Sequence, residues 1–300
     1  MDAIISIATI YIFIVLGFIA KKRFKEQIDE KTLILLSLYF LQPILTFWGL
    51  TQAKLSINLL LTPVYYLIAI FITLVFSIFI SKKIIKDSKE QSIFIAASLI
   101  GNTGNLGIPL GLALFGEASV AYTSIINIAN IFFVYTIGIY FYAKEQFDIK
   151  GSLKQILTIP ILWVAIFALW YNYMEFPINT QMQKFLQMGA YATIVIQLII
   201  FGIYLANIQI KQIDYKFSGK IIAIKHILLP IVGFFVVWYF DVDKFIATIL
   251  LLELMVPLAV NNVNLSALYN CKPYKTTEVV FVTTLFFILF IYFYLYILGV

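Results

Sequence analysis

Ten apolar stretches, each about the 20 residues an α-helix needs to cross a bilayer, leave little of this chain for anything else. They run over 3–20, 32–50, 58–81, 91–115, 118–143, 153–171, 185–208, 218–240, 245–268 and 276–299. The connections are short, and no soluble domain fits between them. Strands of a membrane barrel would alternate apolar and polar residues. Ile4–Ala20 and Phe286–Leu298 do not alternate, so helices are expected. Composition agrees. The chain is 62% hydrophobic and 12% charged, whereas soluble domains are nearer half and a quarter. So few charges cannot cover a soluble globule, which excludes a soluble enzyme, and so apolar a chain is not intrinsically disordered. The fold class expected is an all-α integral membrane protein with ten transmembrane helices.

Loop charge predicts the orientation. Seventeen basic residues fall in the odd-to-even loops: Lys21, Lys22, Arg23, Lys25 and Lys31; Lys82, Lys83, Lys86 and Lys89; Lys144, Lys150 and Lys154; Lys211, Lys216 and Lys220; Lys272 and Lys275. The opposite loops hold Lys54, Lys184 and Lys244. The basic loops are therefore expected in the cytoplasm, with both termini outside. Met1-Asp2 precedes the first apolar run and the basic cluster follows it, the order of a first span rather than of a secretory signal. The net charge of +6 belongs to these loops, so no nucleic-acid partner is expected. One cysteine, Cys271, and one histidine, His226, exclude an intrachain disulfide and argue against a zinc site.

The polar segment 144–152 divides the chain into five spans and five. An odd number per half makes the halves enter the membrane in opposite directions, which predicts two inverted repeats. The fourth span of each half carries a proline. Pro109 follows Gly101-Asn102-Thr103-Gly104-Asn105-Leu106-Gly107-Ile108, and Pro257 is followed at short distance by Asn261-Asn262. Proline removes a helix hydrogen bond and clashes with the preceding turn, and glycine weakens the helix further. Freed backbone groups are costly in lipid unless the break lines a cavity or meets another break. Matched breaks are the sequence sign of a transporter's binding site.

Fourteen of the fifteen acids lie in loops, at termini or at span edges. Glu253 lies in mid-span, where an acid costs on the order of 3 kcal/mol and usually serves an ion or proton. Glu253 and Asn105 each stand four residues before their proline. Asn102, Thr103 and Asn105 precede one break; Asn261, Asn262 and Asn264 follow the other. Thr123 and Asn127 share one face of span 5, with Asn130 close by. Carboxylate and amide oxygens suit a hard cation, and amide N–H groups with free helix N-termini suit an anion. The residues permit both. Lys225 and His226, opening span 8, are expected to snorkel to the cytoplasmic surface. Gln42-Pro43 and Gln197 are expected to pack, with lining of a pathway the lesser reading. Gly107 and Gly111 have the spacing of a helix-dimer motif, which carries little weight beside a break.

These motifs resemble the auxin efflux carrier family, whose bacterial members include malate and malonate permeases. The likeness covers the whole chain: Gly17-Phe18 with Lys21-Lys22, Gln42-Pro43, the run from Gly101 to Pro109, and Pro257-Leu258-Ala259-Val260-Asn261. The Gly101–Pro109 run is its most specific element. The resemblance implies two inverted five-helix repeats with crossed, broken helices 4 and 9, a fold related to the bile acid/sodium symporters. Helices 1, 2, 6 and 7 (1–57 and 153–212) would form a scaffold and often a dimer interface. Helices 3–5 and 8–10 (58–143 and 213–300) would form a transport domain that shifts like an elevator. Substrate, a small organic anion, would bind beside the crossing at Asn102, Thr103, Asn105, Pro109, Pro257, Asn261 and Asn262.

Departures accompany the likeness. Span 7 has no proline to match Pro43, and the central loop is short. Glu253 resembles instead the sodium-binding glutamate of the bile acid symporters, which implies a sodium site of Glu253, Asn105, Thr123 and Asn127, or a proton carried at Glu253. No other cofactor is expected. The function expected is a secondary carrier of carboxylates in the bacterial inner membrane. The alternatives are a sodium-coupled symporter of a larger amphipathic anion and a membrane sensor without transport. An intramembrane enzyme is disfavoured, because such hydrolases pair a nucleophile with a base or a metal.

Overall fold

The computed structural model of the chain describes residues 2–207 and 213–299. Lys211, counted above among the basic loop residues, lies outside them. Most of the described residues are helical. The helices are α1 (Asp2–Phe24), α2 (Glu30–Gln52), α3 (Ile57–Ile84), α4 (Ser88–Leu99), α5 (Thr103–Phe115), α6 (Ala118–Ala143), α7 (Ile149–Leu157), α8 (Pro160–Tyr173), α9 (Thr180–Asn207), α10 (Tyr215–Tyr239), α11 (Lys244–Met255), α12 (Asn261–Leu268) and α13 (Pro273–Leu298).

Six of these, α2, α3, α6, α9, α10 and α13, are long and apolar enough to cross a membrane. Taking α7 and α8, which meet at a 57° bend, as one span gives a seventh. Three other expected spans have a different form. Residues 3–20 fall in α1, whose first side chains lie outside the description. Residues 91–115 and 245–268 are each divided, α4 from α5 and α11 from α12, so no single piece has spanning length.

Loop acids start several helices. The Asp29, Asp87, Asp214 and Asp243 side chains accept hydrogen bonds from the first free backbone N–H groups of α2, α4, α10 and α11. Four helices also contain one π-helical turn each: Ser37–Leu41, Thr103–Gly107, Val134–Gly138 and Ala223–Leu228. Three of the four lie just before a proline, Pro43, Pro109 or Pro230. A missing N–H and a ring that crowds the preceding turn favour a wider local winding there.

The chain packs as two compact units. Unit 1 is Met1–Leu61, Gly104–Ile128 and Gln155–Asn207; unit 2 is Thr62–Thr103, Ala129–Lys154 and Ile208–Val300. In unit 1, α1 and α9 meet backbone to backbone. A Cβ on Gly17 would fall on the Ile199 carbonyl oxygen, and one on Gly202 on that of Ile14. Leu50, Leu59, Ala121, Ile125, Ala165 and Ala168 form a core cluster in the same unit. Asn172 ties down the end of α2, donating to the Leu50 carbonyl at 2.6 Å and the Ala53 carbonyl at 2.7 Å. Gly111, read above as half of a dimer motif, has its bare face occupied within the unit, since a Cβ there would lie 2.6 Å from Thr123 Cγ2.

In unit 2, loops expected on one side of the membrane share one end. Lys272 bridges Asp87 and Glu90 at 2.9 Å each, and Lys275 bridges Glu90 at 2.8 Å and Asp214 at 3.0 Å. Lys144 donates to the Ser88 carbonyl at 2.7 Å, and Lys89 to that of Asn270 at 2.7 Å.

Candidate functional site

Helix α4 ends at Leu99, and the next three residues are not helical. Helix α11 ends at Met255, before Pro257. The two non-helical stretches pair as a single antiparallel bridge, Gly101 to Leu258. Asn102 N–H donates to the Pro257 carbonyl at 2.8 Å, and Ala259 N–H donates to the Ile100 carbonyl at 2.9 Å. Each interruption thus supplies partners for backbone groups that the other has freed.

Side chains complete the accounting. Asn130, on α6, donates through Nδ2 to the Gly101 carbonyl at 2.9 Å and to Thr103 Oγ1 at 3.0 Å. Tyr66, on α3, donates to Asn130 Oδ1 at 3.3 Å. Asn262, on α12, donates to the Ile100 carbonyl at 3.1 Å and the Ala259 carbonyl at 2.9 Å, while Tyr142 donates to its Oδ1 at 3.0 Å. All of these side chains are buried. Buried backbone groups must be paired, and two asparagines pair those that helix geometry cannot reach.

Three buried polar groups beside this framework have no hydrogen-bond partner: Asn102 Nδ2, both carboxylate oxygens of Glu253, and Lys225 Nζ. Asn102 is 3% exposed; Glu253 and Lys225 are wholly buried. Gly101 gives their arrangement. A Cβ on it would lie 2.9 Å from Lys225 Nζ, 3.3 Å from Val256 Cγ2 and 3.7 Å from the Glu253 carbonyl oxygen. The ammonium therefore rests in the notch left by a missing side chain, where the two interruptions meet. Lys225 and Glu253 act on each other electrostatically without forming a close ion pair.

Lys225 does not snorkel. Helix α10 starts at Tyr215, ten residues earlier, which places Lys225 about 15 Å along the helix from its start, beyond the reach of a lysine stem. The π-helical turn Ala223–Leu228 carries it, and such turns gather at functional positions. His226 is buried too, with the Phe286 ring tilted against it at 5.0 Å between centres and Tyr294 stacked on it at 6.1 Å.

The expected site residues divide between the units. Asn102, Thr103, Glu253, Pro257, Asn261 and Asn262 belong to unit 2; Asn105, Pro109, Thr123 and Asn127 belong to unit 1. Asn261 is exposed, and Asn262 beside it is committed to the framework. Thr123 is buried and donates to the Val120 carbonyl at 3.2 Å. Asn127 is buried beside Gly104, whose Cβ position lies 2.9 Å from its Oδ1; Asn105 is half-buried. Gln197 is buried in unit 1 with its amide unpartnered. Sequence reasoning missed Lys225 and the supporting parts of Tyr66 and Tyr142. A lysine well inside an apolar run, five residues before Pro230, is the signal that was there to find it.

Long apolar helices with two paired interruptions and unpaired polar groups buried at the join define an integral membrane protein of the transporter class. The sequence pattern described as membrane transport protein matches twice, over residues 2–152 and 148–295, so the chain belongs to this family, the auxin efflux carrier family that its motifs resemble. It is similar to an uncharacterized transporter of Methanocaldococcus jannaschii, 26% identical over 215 residues that cover 69% of this chain and 68% of the relative. The chain is a transporter and not an enzyme.

Proposed function

We propose that the protein is a secondary carrier of small organic anions, carboxylates, which it moves by alternating access. The observation that carries this reading is the join in unit 2. Its backbone groups are satisfied, yet the Asn102 amide donor and the Glu253 carboxylate are buried without partners. Unpaired buried polar groups are costly, and a carrier that loads a polar cargo there recovers the loss on binding.

The rest of the reading is architectural. Ten spans would form two inverted repeats with crossed, broken helices 4 and 9, in the bacterial inner membrane with both termini outside. Segments 1–57 and 153–212 would stay fixed, and could dimerise, while 58–143 and 213–300 move as an elevator. The double match of the family pattern, 2–152 and 148–295, supports the repeat. Asn102, Thr103, Asn105, Pro109, Pro257, Asn261 and Asn262 would line the anion path, with Asn262 acting by holding the backbone. Glu253, with Asn105, Thr123 and Asn127 for sodium or alone for a proton, would couple the ion.

Flux in proteoliposomes tests the proposal. Labelled malate, malonate and indole-3-acetate are offered with and without inward sodium and proton gradients. Uptake of at least one acid is expected, accelerated by one gradient, with that acceleration lost in Glu253→Ala protein that stays folded. Acceleration by sodium together with preference for a bulky amphipathic anion would favour a symporter like those for bile acids. Ligand binding without flux would identify a sensor.

A further inference from the structure

Lys225 is the one wholly buried lysine among the described residues. A buried ammonium is tolerated when it is paired and hydrogen-bonded. This one is neither, although it could be closely paired if its task were only to neutralise Glu253. Its Nζ instead rests against Gly101, next in sequence to Asn102, whose Nδ2 is also buried and unpartnered. The join therefore presents two donors of complementary kind, a cationic one with three N–H groups and a neutral amide, with no acceptor for either. An ammonium with no acceptor of its own, lying where the two interruptions meet, fits a carboxylate, whose oxygens accept charge-assisted hydrogen bonds from it. Gly101 keeps the notch open, because any larger residue would put a carbon where the ammonium lies.

We propose that Lys225 Nζ is the group that binds the substrate's carboxylate at the join of the two interrupted helices. Glu253, wholly buried and without a hydrogen-bond partner, is the counter-charge. In the empty protein it balances the ammonium at a distance; in the loaded protein the substrate carboxylate makes the contacts that Glu253 does not. The inference rests on the reading of the protein as an organic-anion carrier and adds the residue that recognises the anionic group.

Binding is measured apart from flux. Purified wild-type protein is titrated with malate, malonate, indole-3-acetate and the neutral indole-3-acetamide, and thermal stabilisation and labelled-ligand binding are read together. Wild type is expected to bind at least one acid and to prefer acid to amide. Lys225→Met should weaken acid binding about tenfold to a hundredfold, the worth of a charge-assisted hydrogen bond, and should abolish the preference over the amide. Lys225→Arg should keep part of both. The double variant Lys225→Met with Glu253→Gln removes both charges and guards against misfolding caused by a lone buried carboxylate. Its acid binding should stay as weak as that of Lys225→Met. If Lys225 merely balances Glu253, the double variant regains wild-type affinity, and that result overturns the proposal. So does Lys225→Met protein that binds acids as wild type does, or wild type that binds none of the three. Acid binding through Lys225 without any flux sinks the carrier reading and leaves the subsite standing. Flux by Lys225→Met at wild-type KM does the reverse.

Discussion

Asn130 and Asn262 do similar work from different helices, and both do it for backbone. Each holds a carbonyl of the α4 terminus that no helix turn can reach, and each is oriented by a tyrosine hydroxyl, Tyr66 or Tyr142. Replacing Asn130 by Leu keeps the volume and strands the Gly101 carbonyl. A loss of about 1–3 kcal/mol in stability is expected, read as a lower thermal midpoint in detergent. The same change at half-buried Asn105 should cost less, because water can replace its partners. Equal costs at the two sites would refute the framework role. The sequence marks all these asparagines alike as polar residues in apolar spans. Their division into backbone struts and unpartnered amides depends on which amide atoms find partners, and the chain order does not carry that.

At the scale of elements, proline and glycine control where helices end and how closely they approach. Pro257 sits at a break that was legible in the sequence, because a residue without an N–H cannot continue a buried helix unaided. The α1–α9 contact was not legible. Gly17 and Gly202 are far apart in the chain, and nothing local says that each faces a carbonyl of the other helix. A valine at Gly202 would place its Cβ on the Ile14 carbonyl oxygen, and neither backbone can yield without separating the helices. Such overpacking should cost about 2–3 kcal/mol, measured as loss of monodispersity or thermal stability. The exposed Gly219, with nothing near its Cβ position, should accept alanine without loss. If Gly202→Val is as stable as Gly219→Ala, the close approach is wrong.

At the scale of the whole molecule, the loops that the charge count assigns to one side converge on an ion network at one end of unit 2. The N–H of Glu90 and then Lys272 hold the Asp87 carboxyl below its ordinary value of 3.8, and the N–H of Phe217 and then Lys275 do the same for Asp214. Burial pushes Glu90 up, but Lys275 and Lys272 together bring it below 4.5. Burial pulls Lys272 down, and its bonds to Glu90 and Asp87 raise it above 10.5. Carboxyls with depressed folded values contribute stability that is present above their unfolded values and is lost as pH falls through the folded ones. The lysine's contribution is present below its unfolded value and is lost as pH rises through its folded one. The network should therefore be level between about pH 4.5 and pH 10.5 and weaken outside that window. Thermal midpoints of wild type and Glu90→Gln across pH 3–7 check this. The two should differ at neutral pH and converge in acid, and a difference that persists at pH 3 would show that the carboxylate charge is not what holds the loops.

The sequence by itself determined the class. Apolar runs too long and charges too few for water leave only a membrane protein; Pro257 stands beside one interruption, whereas the other lies at 100–102, seven residues before Pro109. The motif from Gly101 to Pro109 was enough to suggest the family that the whole-chain match then established. The tertiary structure alone decided which polar groups are spent on backbone and which stay unpaired. It also decided that Lys225, read from the sequence as opening its span, lies at the join of the breaks. The reason is physical: hydropathy is a sum along the chain, whereas pairing is settled across it, between residues 27 to 162 positions apart.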